Sequence, residues 1–289
     1  MFRQSTRLLI TGALGMAVAS GAQAQDDTIE IGWTAWSDAE FVTKLASRII
    51  NENTDKSVEL IQTDIAPQYQ GVETGDIDAM LMSWLPATHE DYYENVATGV
   101  ENLGVLYNGA RLGWVVPDYI PEDELSSLSD LSKDSVQEKL DGTITGIDPG
   151  AGLTQLSEKA IEEYGMDDYT LQTSSGAGMT AALDRATNRD EWIVVTGWSP
   201  HWKFGAYDLR YLEDPEGTLG GPERVHALAR EGFDADYPEI SQVLSRMYLS
   251  LDELQSYMFE ARENSYEEAI TRFIDENPEQ VNYWLTGEI

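Results

Sequence analysis

The sequence predicts an α/β protein of two lobes, each a mainly parallel sheet flanked by helices, and three observations predict it. Short apolar runs of strand length alternate with segments of helical apolar spacing from residue 29 to residue 84. The alternation restarts at Arg111 and runs to Thr196. From about residue 210 onward the chain reads as mainly helical. Two alternating units with trailing helices imply a chain that crosses to a second lobe and returns. Residues 25–112 and 208–289 are assigned to the first lobe and 113–207 to the second. Ligand sites in such sheets lie beyond the C-terminal ends of the strands, which directs attention to the loops there.

The elements follow in order. Residues 29–33 read as a strand, and residues 40–51 as a helix with Phe41, Leu45, Ile49 and Ile50 at helical spacing. Residues 58–61 form a second strand, 67–72 a short helix ended by Gly75, and 79–84 a third, mostly apolar run. Residues 112–116 open the second unit, followed by a turn-rich stretch with Pro117 and Pro121. A strand over 143–147 runs into Asp148-Pro149-Gly150-Ala151-Gly152, and a helix follows over 153–164. A helix over 178–185 and a strand over 192–196 complete the unit, and helices over 238–248, 250–263, 265–276 and 278–285 close the chain. No internal repeat, low-complexity tract or long flexible linker interrupts it.

Hydrophobic residues make up 42% of the chain, enough for a packed core. Asp and Glu number 52 against 18 Lys and Arg, a formal net charge of −34. Such a surface repels phosphate backbones and anionic headgroups, which argues against binding nucleic acid or a membrane surface. Low Lys beside abundant carboxylate suits salty surroundings, where self-repulsion is screened. Cysteine is absent, which excludes disulfides, thiolate chemistry, Cys-metal sites and a lipid anchor on an N-terminal Cys. No internal stretch reaches the roughly 18 apolar residues that span a bilayer, so no direct membrane insertion is expected. Arg3 and Arg7, an apolar run over 8–22 and Ala22-Gln23-Ala24 read as a signal peptide over residues 1–24, cleaved after about Ala24. The mature chain is expected to be an exported, soluble, periplasmic monomer.

Enzymatic readings find little footing. His89, His201 and His226 are far apart and lack zinc-helix spacing, so no metal site is expected. Gly197-Trp198-Ser199-Pro200-His201 has His201 where a nucleophile elbow needs glycine. No phosphate-cradling loop and no complete dinucleotide fingerprint is present; Gly150-Ala151-Gly152 is only a fragment of one. No catalytic residue and no cofactor are implied.

Tryptophan at strand ends stands out instead. Trp36, Trp84 and Trp198 each lie beside polar turn residues at the end of a predicted strand. Trp33, Trp114, Trp192 and Trp284 read as core, and His201 and Trp202 as support or core. Converging indole faces favour a cation without N–H donors, such as a quaternary ammonium. Gly152 and Leu153 open a helix whose backbone N–H groups and dipole suit an anion, and His89 can add a donor. A cage and an anion pocket together describe a zwitterion.

Four segments carry a resemblance: Ala35-Trp36-Ser37-Asp38, Ser83-Trp84-Leu85-Pro86-Ala87-Thr88-His89, Gly146-Ile147-Asp148-Pro149-Gly150-Ala151-Gly152 and Thr196-Gly197-Trp198-Ser199-Pro200-His201-Trp202. They resemble the signatures of glycine betaine-binding proteins, the substrate-binding subunits of ABC osmoprotectant importers. The likeness runs over nearly all of the mature chain. In some relatives the two halves occur in the opposite order, so it is a likeness of segments. It implies a type II-like periplasmic-binding-protein fold that closes on its ligand and presents it to membrane permease subunits. It also implies that Trp36, Trp84 and Trp198 cage the trimethylammonium group, while His89 and the N–H groups of Gly152 and Leu153 hold the carboxylate.

Ligand identity stays open at this point. Choline-binding relatives place an acid two residues after the first cage Trp, where this chain has Asp38. Asp38 is either a ligand-facing charge or a cap of the following helix. Choline is the nearest rival to glycine betaine, followed by carnitine, proline betaine, trimethylamine N-oxide and dimethylsulfoniopropionate. From other classes come an exported carbohydrate-active hydrolase, for which no acid pair is marked, and a sensory ligand-binding module.

Overall fold

The computed structural model describes residues 27–288, so the signal-peptide reading of residues 1–24 lies outside the described residues. Nine strands form one curled, mixed sheet among the described residues: β1 (Thr28–Trp33), β2 (Ser57–Gln62), β3 (Ala79–Leu85), β4 (Val100–Pro117), β5 (Thr143–Thr145), β6 (Thr170–Gln172), β7 (Val195–Ser199), β8 (Leu209–Tyr211) and β9 (Glu223–Arg230). Their order is β2-β1-β3-β9-β4-β7-β5-β6, with β8 paired to β4.

β4 joins the two halves. Its residues Val100 to Ala110 pair with β9, Arg111 to Val115 pair with β7, and Val115 to Pro117 pair with β8. β9 brings the chain back, pairing with β3 on one side and β4 on the other. The outer strands of each half are parallel, as expected: β1 with β2 and β3, and β5 with β6 and β7. The central pairings of β4 and β9 are antiparallel. The sequence reading missed β9 and the first half of β4. Each interleaves polar residues, such as Arg224, His226, Asn102 and Asn108, among apolar ones, and three register shifts break the β4–β9 ladder.

The long helices stand where apolar spacing put them, at Ser37–Asn53, Ile65–Thr74, Gly152–Glu163 and Gly176–Thr187. The C-terminal set is Pro238–Arg246, Leu251–Glu263, Tyr266–Glu276 and Pro278–Thr286. Phe41, Val42, Leu45, Ile49 and Ile50 are wholly buried on one face of the first. Each such side chain contributes roughly 1.5–3 kcal/mol, which outweighs weak intrinsic propensity. Ser250 and Glu253 form a reciprocal capping box, and Pro238 and Pro278 stand at first-turn positions where no N–H is needed.

Two apolar clusters result. The larger joins β1, β3, β9 and the C-terminal helices and reaches Trp36, Trp84, Trp198 and Leu153. The smaller surrounds Trp114, Val116, Leu128, Val136, Ile144 and Val194. Trp114 and Trp284 are core, as expected, but Trp33 and Trp192 are only half-buried. Lys44 lies over the Trp33 ring and Lys139 over Trp192, the lysines covering faces that the core leaves open.

Candidate ligand-binding site

Trp84 and Trp198 are the penultimate residues of β3 and β7 rather than loop residues beyond them. For Trp198 the difference arises because the strand begins at Val195, where pairing with β4 starts, and not at Trp192. Trp36 stands three residues after β1, as the N-cap residue of helix Ser37–Asn53. Its turn is clamped by Thr34, whose hydroxyl donates to the Thr63 carbonyl at 3.0 Å and accepts from Gln68 Nε2 at 2.5 Å.

The three indoles line one small cavity of about 20 Å³. Asp38, Thr88, Leu112, Ile147, Ala151 and Leu153 complete its wall. The Trp36 and Trp198 rings stand 6.5 Å apart and inclined at 59°, and Trp84 meets the edge of Tyr107 at 6.4 Å. Two indole N–H groups hold the walls in place. Trp36 Nε1 donates to Asp148 Oδ2 at 2.8 Å, and Trp198 Nε1 donates to Asp38 Oδ1 at 2.9 Å.

Asp38 is the acidic residue in the cavity wall. It is not the helix cap: Trp36 holds that position, no side chain caps the helix, and Asp38 is its second residue. Its carboxylate instead accepts from Trp198 and, at 2.7 Å, from the Tyr107 hydroxyl. Burial raises its pKa, and those two hydrogen bonds pull the other way.

His89 is buried but is not on the cavity wall; its neighbour Thr88 is. The backbone N–H of Trp84 donates to His89 Nδ1 at 3.1 Å, so the ring proton belongs on Nε2. Burial lowers the pKa of His89 to about 3, which keeps the ring neutral and Nε2–H a donor. Its ring lies 6.4 Å from Trp36 and edge-on to Tyr69 and Tyr92.

Leu153 lines the cavity and Gly152 opens helix Gly152–Glu163 beside it. Ala151 is the N-cap residue and no side chain caps the helix; Thr154 N–H donates to the Ala151 carbonyl, leaving the N–H groups of Gly152 and Leu153 for an anion. A Cβ on Gly152 would meet the Thr88 carbonyl oxygen at 2.1 Å. Glycine is required there because segment 84–89 presses on this helix N-terminus. The contact brings the His89 segment and Gly152–Leu153 to one end of the cavity. Nearby, the Tyr92 hydroxyl donates to the Gly150 carbonyl at 2.8 Å and accepts from Gln155 Nε2 at 2.8 Å.

The sequence reading missed Tyr107, Thr88, Asp148 and Glu223. The buried Glu223 carboxylate accepts from the N–H groups of Ala87 and Thr88, at 3.1 and 3.0 Å, and from the Thr88 hydroxyl. Asp148 and Thr88 lie inside the quoted segments, but Tyr107 and Glu223 reach the site only through strand pairing. His201 and Trp202 stay off the cavity wall, as expected. Among the described residues no group of His, Asp and Glu could hold a metal ion. None of the described helices is long and apolar enough to cross a membrane.

Residues 27–276 match the family described as the substrate binding domain of ABC-type glycine betaine transport system. The chain belongs to this family, whose members serve transport rather than catalysis. It is 39% identical over 159 residues to the glycine betaine/carnitine transport binding protein GbuC of Listeria monocytogenes, covering 54% of this chain and 53% of that one. The chain thus matches about half the length of that relative. Lactococcal OpuAC, solved closed and liganded with glycine betaine, is similar over 90% of this chain and 100% of its own, with 32% identity and a TM-score of 0.83. An ABC-transporter choline binding protein in complex with choline shares the fold, with 24% identity, a TM-score of 0.82, and coverage of 90% and 92%.

Proposed function

We propose that this family member captures glycine betaine, or a close betaine, and delivers it to the membrane permease subunits of an ABC importer for osmoprotectant uptake. The observation that carries the reading is the cavity of three indoles with a neutral histidine and an uncapped helix N-terminus at one end. The indole faces hold the trimethylammonium group, each worth roughly 0.5–2 kcal/mol and more when desolvated. His89 Nε2–H and the N–H groups of Gly152 and Leu153 hold the carboxylate. The protein does no chemistry on its ligand. Cage residues come from both halves of the sheet, so the ligand stabilises the closed form over the open one. We assign residues 25–112 and 208–289 to one lobe and 113–207 to the other, with export by residues 1–24 into the periplasm.

Asp38 on the cavity wall favours a second reading, choline, because a carboxylate offsets a ligand that brings none of its own. Calorimetric titration with glycine betaine and with choline separates the two. Tight betaine and weak choline binding is expected; the reverse makes choline the ligand and Asp38 its counter-charge. Binding of neither would overturn the ligand assignment and leave the family membership.

A further inference from the structure

Behind the cage lies an ionisable residue that ligand capture, as described so far, does not use. Lys203 has 0% exposure, and its Nζ has no hydrogen-bond partner. That Nζ sits 4.3 Å from the centroid of the Trp198 ring and 5.3 Å from that of Phe204. Lys203 is not on the cavity wall, whereas Trp198 is, so the indole separates the amine from the ligand. Burial without an acceptor strongly disfavours the ammonium form, and the Asp38 carboxylate is what favours it. Asp38 is in turn held by Trp198 Nε1. Cavity, indole, amine and carboxylate therefore form one electrostatic unit.

We propose that Lys203 sets ligand specificity through Trp198: the cage takes a trimethylammonium head when Lys203 is the uncharged amine, and the ammonium form excludes such a head, most strongly when the ligand brings no carboxylate. The proposal rests on the quaternary-ammonium reading of the cavity. Two cations on opposite faces of one indole repel across the thickness of the ring. At an effective dielectric constant near 20 that repulsion is worth about tenfold or more in affinity. A betaine recovers part of the loss because its own carboxylate faces the same field, and choline recovers none. By reciprocity, ligand capture drives the proton off Lys203.

Other titratable groups around the amine are few. Helix Ser37–Asn53 contributes Asp38, and the turn after β7 contributes His201, which is buried, held neutral, and accepts from the Lys203 N–H at 3.0 Å. Tyr107 on β4 donates to Asp38, and Tyr266 on the C-terminal helices interacts first with Glu40 and only then with Asp38. On helix Leu251–Glu263, which packs against segment 203–206, Arg262 lies over Trp202 at 4.9 Å, and Tyr207 closes the segment.

The test compares wild type and Lys203→Met, measuring Kd for glycine betaine and choline between about pH 5.5 and 9. In the wild type both affinities are expected to rise with pH, choline the more steeply. Lys203→Met, nearly equal in volume, is expected to flatten both profiles relative to wild type. It should also lower the choline-to-betaine Kd ratio at the acidic end by about tenfold. Parallel wild-type and variant profiles, or equal losses for both ligands, would overturn the proposal. If the wild type binds neither ligand, the quaternary-ammonium reading has failed instead. A second measurement needs no substitution: betaine titration in two buffers of different ionisation enthalpy. Proton release on binding is expected, and none at any pH would overturn the assignment.

Discussion

Two segments of this chain spell nearly the same message and do different things. Segment 84–89 runs from the end of β3 as Trp-Leu-Pro-Ala-Thr-His, and segment 198–203 runs from the end of β7 as Trp-Ser-Pro-His-Trp-Lys. Each opens with a cage indole, and the peptide bonds Leu85–Pro86 and Ser199–Pro200 are both cis. In the first, His89 folds back on the backbone N–H of its own tryptophan. In the second, the histidine comes two residues earlier, bonds forward to the Lys203 N–H, and packs edge-on against Trp198 at 4.5 Å. In the proposed site one histidine is the donor at the ligand's end and the other a support behind the cage. Two residues of spacing decide between the roles, and residue type alone does not.

Deleting each indole sharpens the contrast most. Trp84→Ala removes a cage wall but keeps the backbone N–H that orients His89. Trp198→Ala removes a wall and also the N–H that holds Asp38. Betaine affinity is expected to fall about tenfold or more in each, Trp198→Ala losing the most. Calorimetric titration, with circular dichroism to confirm the fold, measures both; unchanged affinity in both would remove the cage. Next in size is Glu223→Ala, which strips segment 84–89 of a carboxylate that accepts from two of its backbone N–H groups. Buried donors left unpaired cost about 1–3 kcal/mol, read as a lower urea midpoint. An unchanged midpoint would mean the carboxylate does not brace the segment.

How much of this was legible in the sequence follows from how each residue reaches the site. Trp36, Trp84, Trp198 and Leu153 end strands or begin helices, and local periodicity marks such ends. All four line the cavity. Asp38 read equally well as a cap, because its sequence position fits either role; only the hydrogen bonds from Tyr107 and Trp198 separate the two. Tyr107 and Glu223 carry no local signal at all. They are brought in by the β4–β9 pairing, and β9 was hidden among residues that read as helical. The same nonlocal pairing explains why the parallel outer strands were foreseen and the antiparallel centre was not.

The third contrast concerns the two histidines directly. His89→Ala is expected to weaken betaine about fivefold to tenfold and choline hardly at all, since only betaine offers Nε2–H a carboxylate. Equal losses would make His89 a support like His201. Its titration adds a sign that can be checked. The unfolded state takes up a proton on this ring near pH 6.5 while the folded state resists it to about 3. Between those values the unfolded chain binds more protons, so stability falls as pH falls. The His89 contribution should vanish from the stability profile of the variant over that window.

The smallest expected effect tests whether the far end of the cavity is held shut by more than the ligand. The Tyr92 hydroxyl reaches from the helix after segment 84–89 to the Gly150 carbonyl and Gln155, whereas Tyr207, after segment 198–203, donates to Asp184 on helix Gly176–Thr187. Exposed hydrogen bonds of this kind contribute little, so Tyr92→Phe should weaken betaine by about twofold to fivefold. If the proposed lobes part along this contact when the ligand leaves, the loss should appear as faster dissociation with an unchanged association rate. Stopped-flow fluorescence of the cage tryptophans follows both rates. A slower association instead would mean that Tyr92 guides entry, and that closure rests on the indole pairs Trp36–Asp148 and Trp198–Asp38 alone.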